Sequence, residues 1–311
     1  MAIVTYSKLR DSVAGYLHRT PETFYFNGQD LLLTAINNAK NFAQRAVDFE
    51  LAKVFGQLNN VSPVNGANIR TIVYFGTGTT FLVKSLKRAF LLDSTSANQL
   101  PIDFISREAY VQRLRRQTEN AYIVNQTMIV NIPQISVASM QVGQTIYVVP
   151  ATVANPSISL FFDAVEWLPD FTPVPITSTN TSVSVSNLAD TAGGFIAAGV
   201  RIGDLVTNNG DGTSAVVTSV NSATSLGLNA DIFLTTPRSY TIYTVPQTQT
   251  NFLLDYCFDY MLFRSIWELN YFLKEDARVQ LSDVMMKEIW DNVIKWNNTI
   301  IANSTDDNDL N

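Results

Sequence analysis

Hydrophobic positions near the C-terminal end of the chain repeat with the period of an α-helix. The repeat begins after Asn251 and stops at a charged segment, 274–278, beyond which it resumes as far as Ile301. The first part of this apolar stripe comprises Leu254, Phe258, Met261, Leu262, Ser265, Leu269 and Phe272. We therefore expect two helices joined by a turn at 274–278, each with an apolar side that another helical layer must cover.

The N-terminal end has the same helical period. Thr5 is a suitable N-cap for a first helix, and the His-Arg-Thr-Pro sequence at 18–21 ends it because a residue before proline avoids the helical region. Asn27 then predicts the cap of a long second helix that reaches Leu58. Its stripe comprises Leu32, Ile36, Ala39, Ala43, Val47, Leu51, Val54 and Leu58.

Between these ends the pattern changes to the alternation typical of strands. Strands are predicted at 71–75, 80–83, 122–132, 145–149 and 158–162, with a short helix at 106–117. A proline-rich stretch at 168–175 indicates a linker or a domain edge.

Residues 176–245 have a β-only pattern that is rich in Ser, Thr, Asn and Val and poor in charge. The strongest local signal is the turn sequence Asn-Gly-Asp-Gly at 209–212, which lies between two apolar strands and predicts a hairpin. The strands of this module are predicted at 199–206, 215–220, 225–228 and 240–245.

Together these elements predict an α+β fold, an α-helical bundle built from both chain ends with a large inserted β-sandwich or β-barrel region. The predicted parts are a first helical half (1–60), an inserted α+β region (61–175), an all-β module (176–248), a second helical half (249–303) and an acidic tail (304–311).

Composition narrows the class of protein. The chain has 311 residues, 46% hydrophobic and 15% charged, with a net charge of −6 that gives no overall attraction to nucleic acid. Basic residues predominate at 70–120 and acidic ones at 251–311, which indicates separate surfaces with different partners. We expect no signal peptide and no membrane span, because no long apolar run is present.

The sequence contains no pattern typical of a catalytic, cofactor or metal site. His18 is the single histidine, which excludes a His-rich metal centre, and the nucleotide and hydrolase motifs are absent. Asp163 and Glu166 are interpreted as solvated edge charges, and the single Cys257 as a small buried hydrophobic residue. We therefore predict no enzyme activity and no cofactor.

Two groups of residues are candidates for contact with partners. Arg107, Arg113, Arg115 and Arg116 form either a solvated helix face or a contact to a phosphate backbone or an acidic subunit. Trp290 and Trp296 are either core residues of the last helix or anchors of an interface.

The two helical ends resemble the head-to-tail adaptor (connector) proteins of tailed bacteriophages, the tail tubular protein A type. The opening pattern is Thr-Tyr-Ser-Lys-Leu at 5–9, His-Arg-Thr at 18–20 and the helix of 29–58. The closing pattern is Asn-Phe-Leu-Leu at 251–254, Phe-Leu-Lys-Glu-Asp-Ala-Arg at 272–278 and a last helix at 279–301. The hairpin from Gly203 to Leu228 is similar to a β module of phage structural proteins.

This resemblance implies a structural protein of the virion neck, assembled in the host cytoplasm. It implies a homo-oligomeric ring of about twelve subunits between the portal and a tail or nozzle protein, lining a channel through which DNA passes without sequence-specific binding. The acidic residues Asp306, Asp307 and Asp309 would belong to a disordered tail or to an arm that orders on the portal.

Other functions stay open at this point. A tail-tube or gatekeeper ring would also use β-rich contacts between subunits. A carbohydrate-binding surface protein would use exposed aromatic residues of the 120–245 region, Trp167 among them. A glycosidase with an unrecognised pair of acids is a weaker alternative.

Overall fold

The computed structural model describes residues 4–26, 29–59, 67–68, 71–74, 80–93, 99–104, 137–142, 145–149, 158–246, 249–273 and 276–306. The fold is mixed α+β, as predicted, with helices from both chain ends packed around an inserted antiparallel sheet. The chain forms two compact units, one made of residues 1–47 and 169–311 and the other of residues 48–168.

The helices of the first unit come from opposite ends of the sequence. They are α1 (Tyr6–Tyr16), α2 (Leu31–Ala46), α3 (Phe252–Tyr256), α4 (Phe258–Phe272) and α5 (Asp276–Asp306). Helix α4 packs against α1, α2 and α5. A short hairpin of β1 (Tyr25–Phe26) and β2 (Gln29–Asp30) connects α1 to α2. The prediction that the two helical ends meet is therefore confirmed.

The helices are held together by apolar side chains at helical spacing. Leu9 and Val13 of α1, Ile36 of α2, and Met261 and Leu269 of α4 are almost completely buried. Each such side chain contributes about 1.5–3 kcal/mol relative to exposure in water. Long-range hydrogen bonds also join the two ends; for example, the hydroxyl of Tyr260 donates to the carbonyl of Ala39 at 3.2 Å.

The predicted extent of the second helix is wrong at both ends. Its N-cap is Asp30, whose carboxylate accepts from the Leu33 N–H at 2.9 Å, whereas Asn27 lies outside the described residues. The helix ends at Ala46, and the stretch predicted to continue it to Leu58 contains a β-strand, β3 (Lys53–Asn59). Strand pairing satisfies this backbone, and Gly56 disfavours the helical alternative.

The C-terminal run also differs from the prediction in two details. Cys257 has a non-helical backbone (φ −127°, ψ 35°) that separates α3 from α4. Phe272, assigned to the buried stripe, is 42% exposed because it is the last residue of α4. The chain does break between two helices near the charged corner, but the predicted turn at 274–278 is too long, because α4 ends at Phe272 and residues 276–278 already belong to α5.

The unit of residues 48–168 contains an eight-stranded sheet. Its strands are β3 and then β4 (Ala67–Asn68), β5 (Thr71–Tyr74), β6 (Thr80–Asp93), β7 (Gln99–Phe104), β8 (Val137–Val142), β9 (Thr145–Val149) and β10 (Ile158–Trp167). The order is β10-β3-β5-β6-β7-β8-β9-β4, and β10 also pairs with β6. The pairing of β7 with β8 is parallel and the others are antiparallel. The helix predicted at 106–117 and the strand predicted at 122–132 lie outside the described residues.

The inserted sheet of the first unit has seven antiparallel strands. They are β11 (Val174–Thr179), β12 (Ser182–Ser184), β13 (Asn187–Ala189), β14 (Leu205–Asn208), β15 (Ser214–Ser222), β16 (Ser225–Leu228) and β17 (Ser239–Thr244). The order is β11-β17-β14-β15-β16-β13-β12. The predicted hairpin at 209–212 is confirmed, whereas 199–204 forms turns rather than the predicted strand.

The proline-rich stretch after β10 (168–175) is bound to α2 by hydrogen bonds and an ion pair. The side chain of Asn37 donates to the Phe171 carbonyl and accepts from its N–H, both at 2.9 Å. The buried ammonium of Lys40 pairs with Asp170 at 2.7 Å. The boundary between the two compact units falls between residues 168 and 169, inside the stretch predicted as a domain edge.

Candidate functional site

The helical side of the first unit has a row of aromatic rings around one arginine. The guanidinium of Arg264 lies 4.2 Å from the ring centroids of both Phe42 and Trp267. Trp267 in turn stacks on Tyr271, with centroids 6.0 Å apart and an interplanar angle of 10°. We call Phe42, Arg264, Trp267 and Tyr271 the aromatic ladder.

Helical spacing builds this ladder. Positions 264, 267 and 271 are separated by three and four residues and so lie on one side of α4. Glu268 holds the arginine through an ion pair of 2.7 Å, which restrains the guanidinium near both rings. The indole N–H of Trp267 donates to Asp283 of α5, which joins the ladder to the neighbouring helix.

The outer end of the ladder is open to solvent. Tyr271 is 66% exposed and its neighbour Phe272 is 42% exposed. Val284 on α5 is 73% exposed. Exposed aromatic side chains in contact with one another, such as Tyr271 and Phe272, are typical of surfaces that contact another protein.

The two tryptophans that the sequence singled out lie between helices and are half-buried. Trp290 packs against Phe42 and Tyr260, with ring centroids 5.9 and 5.0 Å away. Trp296 stacks on Tyr256 at 5.5 Å. Both rings therefore attach α5 to the other helices, and part of each ring remains accessible to solvent.

An acidic groove runs beside Trp296. It has a volume of about 370 Å³ and lies between the start of α4 and the middle of α5. Asp255 and Asp259 lie in its wall, and the Val4 N–H donates to Asp255 at 2.9 Å. The groove thus combines negative charge with aromatic surface.

Most of the predicted charged contacts cannot be placed. Arg107, Arg113, Arg115, Arg116, Asp307 and Asp309 lie outside the described residues. Asp306 is the last residue of α5, so the helix extends to the beginning of the acidic tail. Of the predicted contact residues, the structure therefore describes the surroundings of Trp290 and Trp296, and the arginine cluster stays a prediction from the sequence.

A buried ion pair that the sequence did not single out fixes α1 to the seven-stranded sheet. Arg10 and Asp204 are both about 5% exposed, and their charged atoms are 3.2 Å apart. A second, more exposed pair joins Asp11 to Arg201 at 3.1 Å. The sequence Gly203-Asp204 could have indicated this contact, because it lies directly before β14 and supplies the aspartate that pairs with Arg10.

The described residues contain no group of three or more His, Cys, Asp or Glu side chains that could hold a metal ion. Cys257 is buried, as predicted, and desolvation raises the pKa of its thiol to about 12, which makes it a poor nucleophile. Within the described part of the chain, no helix is both long and apolar enough to cross a membrane.

Other candidate positions have ordinary structural surroundings. His18 lies in the turn after α1 with a positive φ of 53°. Trp167 is half-buried, and the ammonium of Lys84 lies 5.7 Å from its ring centroid. The Asn-Gly-Asp-Gly turn is closed by Asp211, which accepts from the N–H and hydroxyl of Thr213.

No protein-family model matches this chain, and no curated protein matches it with statistical significance.

Proposed function

We propose that this chain is a structural subunit of the neck of a tailed bacteriophage, a head-to-tail adaptor without enzyme activity. Copies of the chain form a closed ring of about twelve subunits that joins the portal to the tail and surrounds the DNA channel. The alternative of a tail-tube or gatekeeper ring shares the ring and differs in the neighbours that it contacts.

The observation that carries the proposal is the split helical body. Helices α1 and α2 pack on α4, although more than two hundred residues separate α2 from α4 in the sequence. This arrangement agrees with the resemblance of the two chain ends to adaptors. In such a protein the helical part would contact neighbouring subunits and the portal, and the β modules would contact the tail.

The aromatic ladder supports a contact between subunits. Tyr271 and Phe272 expose aromatic surface next to the half-exposed groups of α5, and a side-by-side helical contact would bury both. Aromatic and arginine side chains are also the residue types that carry most binding energy in interfaces.

Charge supports the assignment of the channel and of the portal contact. A net charge of −6 suits a channel wall, because DNA of like charge does not adhere to it. Helix α5 ends at Asp306, the first of the acidic residues Asp306, Asp307 and Asp309, so that this end would meet basic groups of the portal.

Co-sedimentation with the portal protein encoded in the same genome tests this proposal. We expect the chain to sediment with portal in gradients, and removal of residues 306–311 to weaken that binding without changing the melting temperature. A chain that never sediments with portal, but binds the next tail protein, would contradict the adaptor assignment and favour the gatekeeper.

A further inference from the structure

A second cavity lies in the first unit, on the side where α1 meets the seven-stranded sheet. Its volume is about 310 Å³. Its walls are mainly apolar or aromatic and are formed by Leu33, Pro173, Val245, Leu205, Tyr25 and Tyr243. Such a cavity is large enough for a short aliphatic chain but needs polar groups to orient a ligand.

Four polar side chains lie on the same cavity. Tyr6 is 2% exposed, and its hydroxyl has no hydrogen-bond partner among the described residues. The buried residues Arg10 and Asp204 and the half-buried Asp30 also line the cavity. A buried hydroxyl without a partner is costly, and Tyr6 is one of the residues that line this cavity.

The charges of this cluster do not balance. Arg10 is matched by Asp204 at 3.2 Å, whereas Asp30 receives backbone hydrogen bonds from the start of α2 and has no ion pair among the described residues. One arginine and two carboxylates leave an excess of one negative charge when both acids are ionised. An anionic ligand is thereby disfavoured, and the guanidinium of Arg10 in the same cluster disfavours a metal ion.

We propose that this cavity binds a primary alkylammonium group. The ammonium donates hydrogen bonds to the carboxylate of Asp30 and to the hydroxyl oxygen of Tyr6. The aliphatic chain lies against Leu33, Pro173 and Val245, and the rings of Tyr25 and Tyr243 flank the entrance. The ligand is either a free amine or the lysine side chain of a protein, which share this chemistry.

The pKa of Asp30 is consistent with an ammonium ligand. Burial raises the pKa of Asp30, and the nearby Arg10 opposes that rise only in part. A second cation beside the carboxylate favours its ionised form and regains free energy that desolvation costs. The proposal is independent of ring formation, since every residue in it belongs to one subunit.

The test is titration of the full chain with two probes, n-butylammonium and Nα-acetyl-lysine N-methylamide, followed by NMR of ¹³C-labelled tyrosine rings. We expect saturable shifts of the Tyr6, Tyr25 and Tyr243 signals. Asp30→Asn removes the charge but keeps an N-cap residue, and it should weaken binding at least about tenfold. Tyr6→Phe removes only the hydroxyl and should weaken it several-fold. Asp231→Asn, at an exposed carboxylate outside the cavity, is the matched control and should bind normally.

Tighter binding of n-butylammonium supports a site for free amines, whereas tighter binding of the blocked lysine supports a site for a protein lysine. The absence of saturable shifts with both probes overturns the proposal. Equal affinity of the unchanged chain and Asp30→Asn also overturns it. If Asp30→Asn does not fold, equal affinity in Tyr6→Phe has the same consequence.

Discussion

Gly203 shows how a single residue controls the contact between α1 and the sheet. Its φ of +88° lies in the left-handed region, and a Cβ atom there would collide with the guanidinium of Arg10 and lie 2.9 Å from a carbon of Pro21. Its N–H donates to the Val217 carbonyl at 2.8 Å, which fixes the loop on β15. The buried Arg10–Asp204 pair therefore depends on the absence of a side chain at position 203.

Gly203→Ala should be clearly more destabilising than Gly212→Ala. Gly212 also has a positive φ, +74°, but a Cβ there meets nothing within 4 Å. The control should thus lose about 1–2 kcal/mol from backbone strain alone, and Gly203→Ala about 3–5 kcal/mol because the ion pair must also move. Urea unfolding measures both, and equal losses would show that the close contact is unimportant.

Cys257 should react slowly in the folded protein. Desolvation by burial raises the pKa of its thiol from 9.0 to about 12, which lowers the thiolate fraction near neutral pH about a thousandfold. We therefore expect modification by a disulfide reagent to be slow in buffer and rapid in denaturant. A thiol that reacts in buffer at the rate of a free cysteine would contradict the buried position.

At the scale of the element, α5 is attached to the other helices along one side. Met286, Val293 and Asn297 are buried on that side, and Asn270 and Ser265 are buried on α4. The remaining positions that the structure describes on α5 are largely exposed. Among the side chains that the structure describes on α5, Met286 and Val293 are therefore the buried apolar residues that hold it against the other helices.

Met286→Ala should destabilise the protein by about 2–3 kcal/mol, since it deletes a buried side chain from the α4–α5 contact. Val284→Ala on the same helix should change stability by less than about 0.5 kcal/mol, because Val284 is exposed. Thermal and urea unfolding of the two variants measure this difference. Similar losses would mean that α5 presents another side to its neighbours.

The seven-stranded sheet contains one acid that should make its stability depend on pH. Burial alone would raise the pKa of Asp190, but hydrogen bonds from Ser178, Tyr240 and the Ala192 N–H hold it below its ordinary value. A lowered folded pKa stabilises the protein above the unfolded pKa of about 3.9. That contribution is lost as the pH falls through the folded pKa.

Asp190→Asn should therefore destabilise the protein more at pH 6 than at pH 3. The hydroxyls of Ser178 and Tyr240 lose a charged acceptor at pH 6, whereas at pH 3 part of the unchanged protein's advantage has already gone. Urea unfolding at the two pH values gives the difference. A loss that is the same at both values would show that the charge of Asp190 contributes nothing.

The sequence predicts an element well where its apolar repeat continues over many neighbouring residues, or where a turn has a characteristic local sequence. The pattern of Met261, Ser265 and Leu269 identifies α4, and the turn at 209–212 identifies the β14–β15 hairpin. It fails where tertiary pairing overrides the period, as in Lys53–Asn59, whose apolar residues fit a helix stripe but pair as a strand with β10. The aromatic ladder was missed because Trp267 and Tyr271 lie beside the buried stripe rather than in it.

At the scale of the whole molecule, the helical part has both buried and exposed apolar side chains. Its buried stripes stabilise the fold of one subunit, whereas Tyr271 of the aromatic ladder and Val284 of α5 are exposed to solvent. In the proposed ring these exposed groups would be buried between neighbours, which explains why a subunit keeps Tyr271 and Val284 in solvent.

Native mass spectrometry of the purified chain, alone and with its portal, tests the central claim most directly. The account predicts a closed oligomer of about twelve copies, formed by the chain or completed on the portal. The double variant Trp267→Ala and Tyr271→Ala should lose this oligomer while staying folded, whereas Val185→Ser, at an exposed valine of the β module, should keep it. A chain that remains monomeric at every concentration, with and without portal, would contradict the account.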